Sequence, residues 1–474
     1  MPIEPSALMT VSLAAAPWGM QVARILASAL GSVDPGKAVQ RYMLREGDEL
    51  VVNGKTYDLT SYKRILLVGA GKAGAPMMSA VVGILGERLN KGIAITKEGY
   101  ANLGSIRQES GLSVRNSSGL NSLFPRVELL EARHPIPDQR GIQGTERILD
   151  LLKETGKDDL VICVLSGGGS ALMTAPAPGI MLAELQNLTS ALLARGATIN
   201  EINSIRKHVD QVKGGGLVRS APQATMITLI LSDVVGDAID VIASGPTVPD
   251  TSTYSQAYAV LERFDLLNTV PASITNHLKK GMRGEINETL KTDDPAFKNV
   301  QNVVIGSNQQ AAKAAVAQAV EEGYHASLLT TFLQGEARQA GRVLAAIVRQ
   351  VNASGDPLPR PACLVWGGET TVTLSGNGVG GRNQELALGA VMELSGIPNV
   401  ALVTLATDGG DGPTDAAGAV VTGETVERAR VLGLNPQQYL AHNDSYHFFE
   451  ALGDLLRPGP TQTNVNDLAF IFAF

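Results

Sequence analysis

The sequence is poor in cysteine and in aromatic residues. Its 474 residues contain two cysteines, Cys163 and Cys363, each inside an apolar run. Cysteines in such positions are typical of buried, reduced thiols, and two of them provide neither a zinc-ligand spacing nor a disulfide framework. Aromatic residues make up 4% of the chain, so the cores must be packed mainly by Ala, Val, Leu and Ile. The cysteine content therefore indicates a reducing compartment.

Clusters of positive charge and long apolar spans are also missing. The formal net charge is −7 and no block of Lys or Arg occurs, which argues against a nucleic-acid partner. Residues 8–23 carry no charge, but Pro17 interrupts them, and Arg24 ends the segment short of the roughly 20 residues that a membrane span needs. The first five residues also lack the basic start of a secretory signal. We expect a cytoplasmic protein with no membrane partner, whose N-terminal tail leads into a packed helix over about residues 18–31.

The chain is long and rich in glycine, and apolar runs alternate regularly along it with stretches of helical spacing. A chain of 474 residues exceeds one ordinary core, so two domains are expected. Apolar runs alternate with stretches of helical spacing, a pattern that predicts parallel sheets covered by helices on both faces. Residues 250–300 are polar and helical without a clear strand, so we place the domain boundary there and predict domains at 1–265 and 266–474. In the second domain, residues 363–376 have the pattern of a hairpin. The predicted strands are 64–68, 92–96, 127–132, 160–165, 225–231, 302–305, 326–330, 362–366 and 401–406.

The first glycine-rich loop follows the predicted strand 64–68. Gly69, Gly71 and Gly74 match G-x-G-x-x-G, a turn that feeds a helix N-terminus able to hold phosphate. A nicotinamide site would place an acid at the end of the next strand, but that strand ends in Lys97. Lys72 inside the loop instead favours an anionic ligand. A glycine turn that serves only close packing of helix and strand remains the alternative.

The second loop follows the predicted strand 160–165 and carries three glycines between two serines. Ser166, Gly167, Gly168, Gly169 and Ser170 offer converging backbone N–H groups and two hydroxyls, which is the composition of a phosphate cradle at a helix start. A serine nucleophile is the weaker interpretation, because the order G-x-S-x-G is absent.

Acidic residues follow two further predicted strands. Asp233 comes directly after the strand 225–231, where a carboxylate can hold Mg²⁺ or accept the proton of a substrate hydroxyl. Asp237 and Asp240 come next and could equally be acids at a helix start. Asp408 and Asp411 follow the strand 401–406; Asp408 is the second metal candidate, and plain turn chemistry is its alternative.

Basic and polar residues complete the set of candidates. Arg382 follows two glycines at the predicted start of a helix, where a cation would meet a phosphate or carboxylate. Glu369 follows the strand 362–366 and is a candidate for binding phosphate or substrate. Arg206, Lys207 and Lys213 precede another glycine triplet and suggest a segment facing an anion, although a solvated helix face explains them as well. His134, in a proline-rich loop, is a substrate contact or a structural residue.

Nine segments in order resemble the glycerate 2-kinase family, whose C-terminal domain is called MOFRL. The resemblance runs from about residue 18 to the C-terminus, and the first 17 residues look like an extension. The segments are GAGKAG, EARHPIPDQRG, SGGGSAL, INSIRKHVDQVKGGGL, SDVVGDAIDVIASGPT, WGGETTVT, GGRNQELALGA, ATDGGDGPTDAAG and GPTQTNVNDLAFIF.

This resemblance implies a fold, a reaction and two site residues. The fold is a Rossmann-like, doubly wound, mostly parallel α/β domain and a smaller mixed α/β domain of MOFRL type, with the active site in the cleft between them. The reaction is phosphorylation of the 2-hydroxyl of D-glycerate by ATP with Mg²⁺. The paired cations of the family correspond to Lys72 and Arg382, whereas the role of Asp233 is inferred from its chemistry. The sequence leaves the oligomeric state open, a homo-oligomer included.

Two other functions remain open at this point. The G-x-G-x-x-G loop alone would suit an NAD(P)H-dependent hydroxypyruvate reductase. The loops together would also suit a protein that binds a nucleotide or sugar phosphate without catalysis.

Overall fold

The computed structural model describes residues 3–101 and 126–474. By its internal contacts the chain divides into two units. The central unit is Pro35–Ile305, and the terminal unit joins the residues up to Asp34 with Gly306–Phe474. This division differs from the predicted boundary at residue 265, because Val300–Gly306 adds a sixth strand to the sheet of the central unit. The predicted cleft between the domains stays a prediction.

Residues 3–34 belong to the terminal unit and are packed rather than trailing. Leu8 and Leu13 are fully buried, and the hydroxyl of Ser12 donates to Asp454 at 2.8 Å. The second helix agrees with the helix predicted over 18–31. The helices are α1 (Val11–Ala15) and α2 (Gly19–Ser32).

The central unit contains a three-stranded antiparallel meander, a six-stranded sheet and the helices around it. Its elements are α3 (Pro35–Tyr42), β1 (Met43–Glu46), β2 (Glu49–Val52), β3 (Lys55–Asp58), β4 (Arg64–Ala70), α4 (Gly74–Leu85), β5 (Lys91–Lys97), β6 (Val127–Ala132), α5 (Gln139–Lys153), β7 (Asp159–Leu165), α6 (Gly169–Leu172), α7 (Leu182–Ala194), α8 (Ile199–Val209), α9 (Gly216–Ser220), β8 (Thr225–Leu231), α10 (Tyr254–Arg263), α11 (Ala272–Met282) and β9 (Val300–Gly306).

The strand order of the large sheet places its ligand-binding edge. The order is β6-β5-β4-β7-β8-β9, and the four pairs from β6 to β8 are parallel. All seven residues of β7 are buried, as expected for a strand covered on both faces. The chain runs outward from β4 in one direction and from β7 in the other, so the order reverses between these two strands. In open α/β sheets, ligands bind beyond the carboxyl ends of the strands at such a reversal.

The terminal unit is built on a mixed six-stranded sheet. Its remaining elements are α12 (Asn308–Glu321), β10 (His325–Leu333), α13 (Ala337–Ser354), β11 (Ala362–Gly368), α14 (Arg382–Leu394), β12 (Val400–Ala406), β13 (Gly418–Thr422), α15 (Thr425–Val431), α16 (Pro436–Ala441), α17 (Ser445–Leu452), β14 (Leu455–Leu456) and β15 (Asp467–Ala473).

The last strand of the chain lies in the middle of this sheet. β15 is antiparallel to both β11 and β12, in the order β10-β11-β15-β12-β13-β14. The hairpin predicted over residues 363–376 is not formed: β11 pairs with β15, about a hundred residues later, and beyond it only Thr371 makes an isolated bridge, to Glu336. Among the described residues, no helix has the length and apolar character needed to cross a membrane.

Candidate active site

Two glycine-rich loops meet at the point where the strand order of the central sheet reverses. The loop after β4 carries Lys72, and the loop after β7 begins at Ser166. The backbone N–H of Lys72 donates to the carbonyl of Gly167 at 2.9 Å, and the N–H of Ala73 donates to the Ser166 hydroxyl at 3.0 Å. The two loops therefore form one hydrogen-bonded structure, in the place where this class of sheet binds ligands.

Close backbone approach explains two of the glycines. Gly71 has φ +140°, and a Cβ there would lie 2.1 Å from the Ser166 hydroxyl. A Cβ at Gly167 would lie 2.1 Å from Oδ2 of Asp233, which follows β8. The carboxylate of Asp233 is thus seated directly on the second loop. Gly69 has a different role, because its missing Cβ lets β4 pack against the carbonyl of Val164 in β7.

His134 lies beside the same loops. A Cβ at Gly168 would come within 3.0 Å of the His134 ring and 3.4 Å of the Lys72 side chain, so both side chains flank this residue. Burial lowers the pKa of His134 to about 4, and the positive charges of Lys72 and Lys97 act in the same direction. The imidazole is therefore neutral near pH 7 and can exchange hydrogen bonds without adding charge.

The end of the second loop is held by residues that the sequence analysis did not identify. The hydroxyls of Ser170 and Ser244 are 2.8 Å apart, and Ser244 donates to Oδ1 of Asn203 at 3.0 Å. Ser244 and Ala243 have φ of 60° and 50°, in the left-handed region that costs most residues energy. Strained backbone of this kind is often found at functional sites. In the sequence, the only hint of this strained turn is the glycine and proline of the segment ASGPT, since these two residues mark turns.

Two of the three basic side chains in the segment predicted to face an anion form ion pairs within the protein. Lys207 forms ion pairs with Asp240 at 3.4 Å and Asp250 at 3.3 Å. Lys213 is buried and lies 2.6 Å from Asp210. Asp240 is thus accounted for by an ion pair and not by a helix start.

The terminal unit collects a second set of charged residues around Arg382. In the sheet register, Asp467 at the start of β15 faces both Gly368 and Ala406, the last residues of β11 and β12. Arg382, the first residue of α14, donates from Nε to Asp467 at 2.5 Å and from Nη1 to Glu369 at 2.6 Å. Burial raises the pKa of Asp467 to about 6, while the guanidinium of Arg382 opposes the rise. Sequence reasoning missed Asp467, because its position depends on strand pairing across the unit.

The acids that follow β12 have separate environments. Asp411 is buried and accepts backbone N–H groups of Gln384 at 2.8 Å and Asn383 at 3.1 Å, so it caps the start of α14. Burial raises its pKa to about 7, and the neighbouring charge of Asp467 adds to the rise. Asp408 accepts the N–H of Gly410 at 3.2 Å, which is turn geometry.

The predicted site residues therefore form two groups. The central unit brings together the loops 69–74 and 166–170 with Asp233, and the terminal unit brings together Arg382 and Glu369. Within the described ranges, no group of three or more His, Cys, Asp or Glu side chains is arranged to hold a metal. Mg²⁺ is commonly held by one or two carboxylates together with substrate phosphates, and the single carboxylate of Asp233 beside two phosphate-type loops fits that donor set. The metal roles of Asp233 and Asp408 stay predictions.

Comparisons with known proteins give the family. The profile described as a domain of unknown function (DUF4147) matches residues 21–279, and the MOFRL family profile matches residues 362–467. A D-glycerate 2-kinase of Thermotoga maritima is 43% identical over 85% of this chain and 89% of its own length. A glycerate 2-kinase of Pyrococcus horikoshii is 40% identical over 94% of this chain and 95% of its own.

A solved structure and a relative with a different name complete the comparison. The crystal structure of glycerate kinase from Thermotoga maritima matches with a TM-score of 0.81 and 39% identity, over 95% of this chain and 98% of that one. A putative hydroxypyruvate reductase of Agrobacterium vitis is 39% identical over 86% of this chain and 87% of its own. The profiles, the identities and the fold confirm the resemblance: the chain belongs to the glycerate 2-kinase family.

Proposed function

We propose that this protein transfers the γ-phosphoryl group of ATP to the 2-hydroxyl of D-glycerate, which yields 2-phosphoglycerate and ADP. The observation that carries the proposal is the pair of bonded glycine loops at the reversal of strand order, with Lys72 in one loop and Asp233 against the other. Backbone N–H groups of the second loop and a lysine from the first suit phosphate, and phosphoryl transfer depends mainly on positioning and charge neutralisation. The family relatives named for glycerate kinase support the same reaction.

The residues of the central unit divide the work as follows. The second loop holds phosphate oxygens through backbone N–H groups, because those of residues 71–74 in the first loop already donate within the protein. Lys72 neutralises charge on the phosphate oxygens. Asp233 accepts the proton of the attacking hydroxyl or holds Mg²⁺, whose chemistry here is to neutralise phosphate charge. His134, neutral near pH 7, provides a hydrogen-bonding group that does not compete with Lys72 for the anion.

Arg382 of the terminal unit is oriented for anion binding by two carboxylates. A guanidinium has five N–H donors, and its three bonds to Asp467 and Glu369 leave two for an incoming group. We assign these donors to the charge that develops on the transferring phosphoryl group. Glu369, placed among the ligand-binding residues by sequence, then acts by holding the guanidinium in position.

The activity is tested by supplying both candidate substrate pairs. We expect ADP release from ATP, MgCl₂ and D-glycerate, and phosphorus NMR should identify the product as the 2-phosphate isomer. The rival reductase predicts instead a fall in absorbance at 340 nm with NADH and hydroxypyruvate. Hydride transfer without ADP release would overturn the proposal, and the A. vitis relative makes this comparison necessary.

The role of Lys72 is tested by removing its charge. Lys72→Ala should lower turnover at least 10²-fold, about the effect of removing one preorganised charge-stabilising donor. Lys91→Ala, at an exposed lysine at the start of β5, is the matched control and should retain activity. Turnover of the Lys72 variant near that of the wild type would remove this residue from the mechanism.

A test of Arg382 requires a variant in which Asp467 and Glu369 still have a cation beside them. Arg382→Ala should also lose at least 10²-fold in turnover, but it leaves Asp467 buried without its cation. Arg382→Lys retains the charge and loses the planar fork, so we expect a smaller loss of stability with a similar loss of turnover. Melting temperatures measured beside the kinetics separate the two effects, and full activity in the lysine variant would contradict the assigned role.

A further inference from the structure

A cavity of about 510 Å³ lies within the central unit. Its wall is formed by the loop 135–137, by α6, by one face of α7, and by Arg206 of α8 with Asp210 and Lys213 just beyond it. Apolar side chains, among them Ile136, Leu185 and Leu188, cover much of the surface. Ser170, the last residue of the second glycine loop, also lines the cavity. The cavity therefore adjoins the proposed phosphate site.

Arg206 is the distinctive charge on the wall of this cavity. It lies in the last turn of α8, and among the residues that the structure describes its side chain makes one hydrogen bond, a long one of 3.5 Å to the hydroxyl of Thr189. Burial lowers the pKa of Arg206, and the charge of Asp210 opposes this effect. A partly enclosed guanidinium with most of its donors unused is costly unless an anion meets it.

The neighbouring charges do not supply that anion. Asp210 is bound at 2.6 Å by the ammonium of Lys213, and its carboxylate also accepts the N–H groups of Val212 at 3.0 Å and Ala175 at 3.2 Å. The Asp210 carboxylate is thus bound by one cation and two backbone donors, and it influences Arg206 only through its charge. The charged side chains on the wall are Arg206, Lys213 and Asp210, whose formal charges sum to +1, which suits a monocarboxylate.

We infer that this cavity binds the carboxylate of the acceptor acid, with Arg206 as its anchor and Ser170 on the side of the phosphate loop. The inference rests on the proposed kinase function and specifies its acceptor site. A cavity of this volume with leucine and isoleucine walls exceeds the needs of a three-carbon acid. The acceptor class is therefore 2-hydroxy carboxylates, including those with a short apolar side chain.

Steady-state kinetics of Arg206 variants test the anchor. Arg206→Gln should raise KM for D-glycerate at least 10-fold and leave KM for ATP within about 2-fold, since the ATP loops are untouched. Arg206→Lys should fall between this variant and the wild type, because it keeps the charge but not the bidentate fork. Arg195→Gln, at an exposed arginine just after α7, is the matched control. An unchanged KM for D-glycerate in Arg206→Gln would overturn the inference.

A second variant covers the case in which Arg206→Gln does not fold. Ser190 lies at an exposed position on the cavity wall, and Ser190→Trp narrows the space without touching the anchor. We expect this variant to raise KM for D-glycerate and to weaken competitive inhibition by 2-hydroxy-4-methylpentanoate. Equal inhibition of the wild type and Ser190→Trp by that acid would contradict the proposal that the cavity binds the acceptor acid.

Binding without ATP separates this inference from the proposed function. Calorimetric titration with D-glycerate and with 2-hydroxy-4-methylpentanoate should show binding that Arg206→Gln weakens at least 10-fold. If the wild type binds these acids through Arg206 but releases no ADP, the kinase function is wrong and the acid-binding role of the cavity is retained. If turnover is normal and Arg206→Gln binds the acids as tightly as the wild type, the acid-binding role is wrong and the kinase function is retained.

Discussion

Gly167 controls the position of Asp233, because no side chain fits between them. A Cβ at this residue would lie 2.1 Å from the Asp233 carboxylate, so Gly167→Ala must displace one of the two. A misplacement of about 1 Å at a reacting group can cost 10²-fold in rate, and we expect kcat to fall at least 10-fold. Gly83→Ala is the control in the same unit: Gly83 is exposed inside α4 with no atom near the added carbon. It should retain activity and gain about 0.5–1 kcal/mol in stability.

His134 gives the central unit a pH-dependent contribution to stability. Its pKa is about 4 in the folded protein against 6.5 for the free side chain, so the unfolded chain takes up the proton first as pH falls. The contribution is fully present above pH 6.5 and is lost as pH falls from 6.5 to 4. Melting temperatures across this range should therefore fall less steeply in His134→Gln than in the wild type. Parallel curves for the two proteins would show that His134 titrates normally.

The start of α14 depends on a buried carboxylate that comes from another part of the chain. Asp411 accepts two backbone N–H groups there, and its pKa is raised to about 7 from 3.8. The folded protein holds this proton more tightly than the unfolded chain, so the stabilising contribution is full below pH 3.8 and is lost as pH rises through 7.

Replacing Asp411 by asparagine removes the titration and keeps an oxygen acceptor for the helix start. We expect Asp411→Asn to lose less stability than the wild type between pH 5 and pH 8, measured as free energy of unfolding in urea. Asp415→Asn is a control, because Asp415 is an exposed carboxylate paired with Arg457 on the surface. A wild-type slope retained in Asp411→Asn would assign the pH dependence to other groups.

The stability of the terminal unit depends on contacts between residues from both ends of the chain. Leu13 of α1 is fully buried, and the adjacent Ser12 bonds to Asp454, 442 positions later. Leu13→Ala should destabilise the protein by about 2–5 kcal/mol, the range for leucine truncation in a core. Met20→Ala, at a residue of α2 that is 41% exposed, is the control and should cost far less. A small effect of Leu13→Ala would mean that the first 17 residues behave as an extension, as their sequence suggested.

Most of the strands and helices could be predicted, because their signals are local. The runs 127–132 and 225–231 were predicted with the bounds that β6 and β8 have. The meander β1–β3 was missed, since its strands have four residues each and half of their side chains are exposed. The central place of β15 was missed for another reason: its pairing with β11 and β12 is set by the whole sheet.

The sequence by itself determined which loops follow buried strands and which of them carry glycine, lysine and aspartate. These features have periods of two to four residues and are readable within a short window. Only the tertiary structure decided that Asp467 holds Arg382, that Asn203 and Ser244 hold Ser170, and that Asp411 caps α14. Such contacts join residues 27 to 85 positions apart, and their geometry is fixed by strand order and packing, which no local pattern encodes.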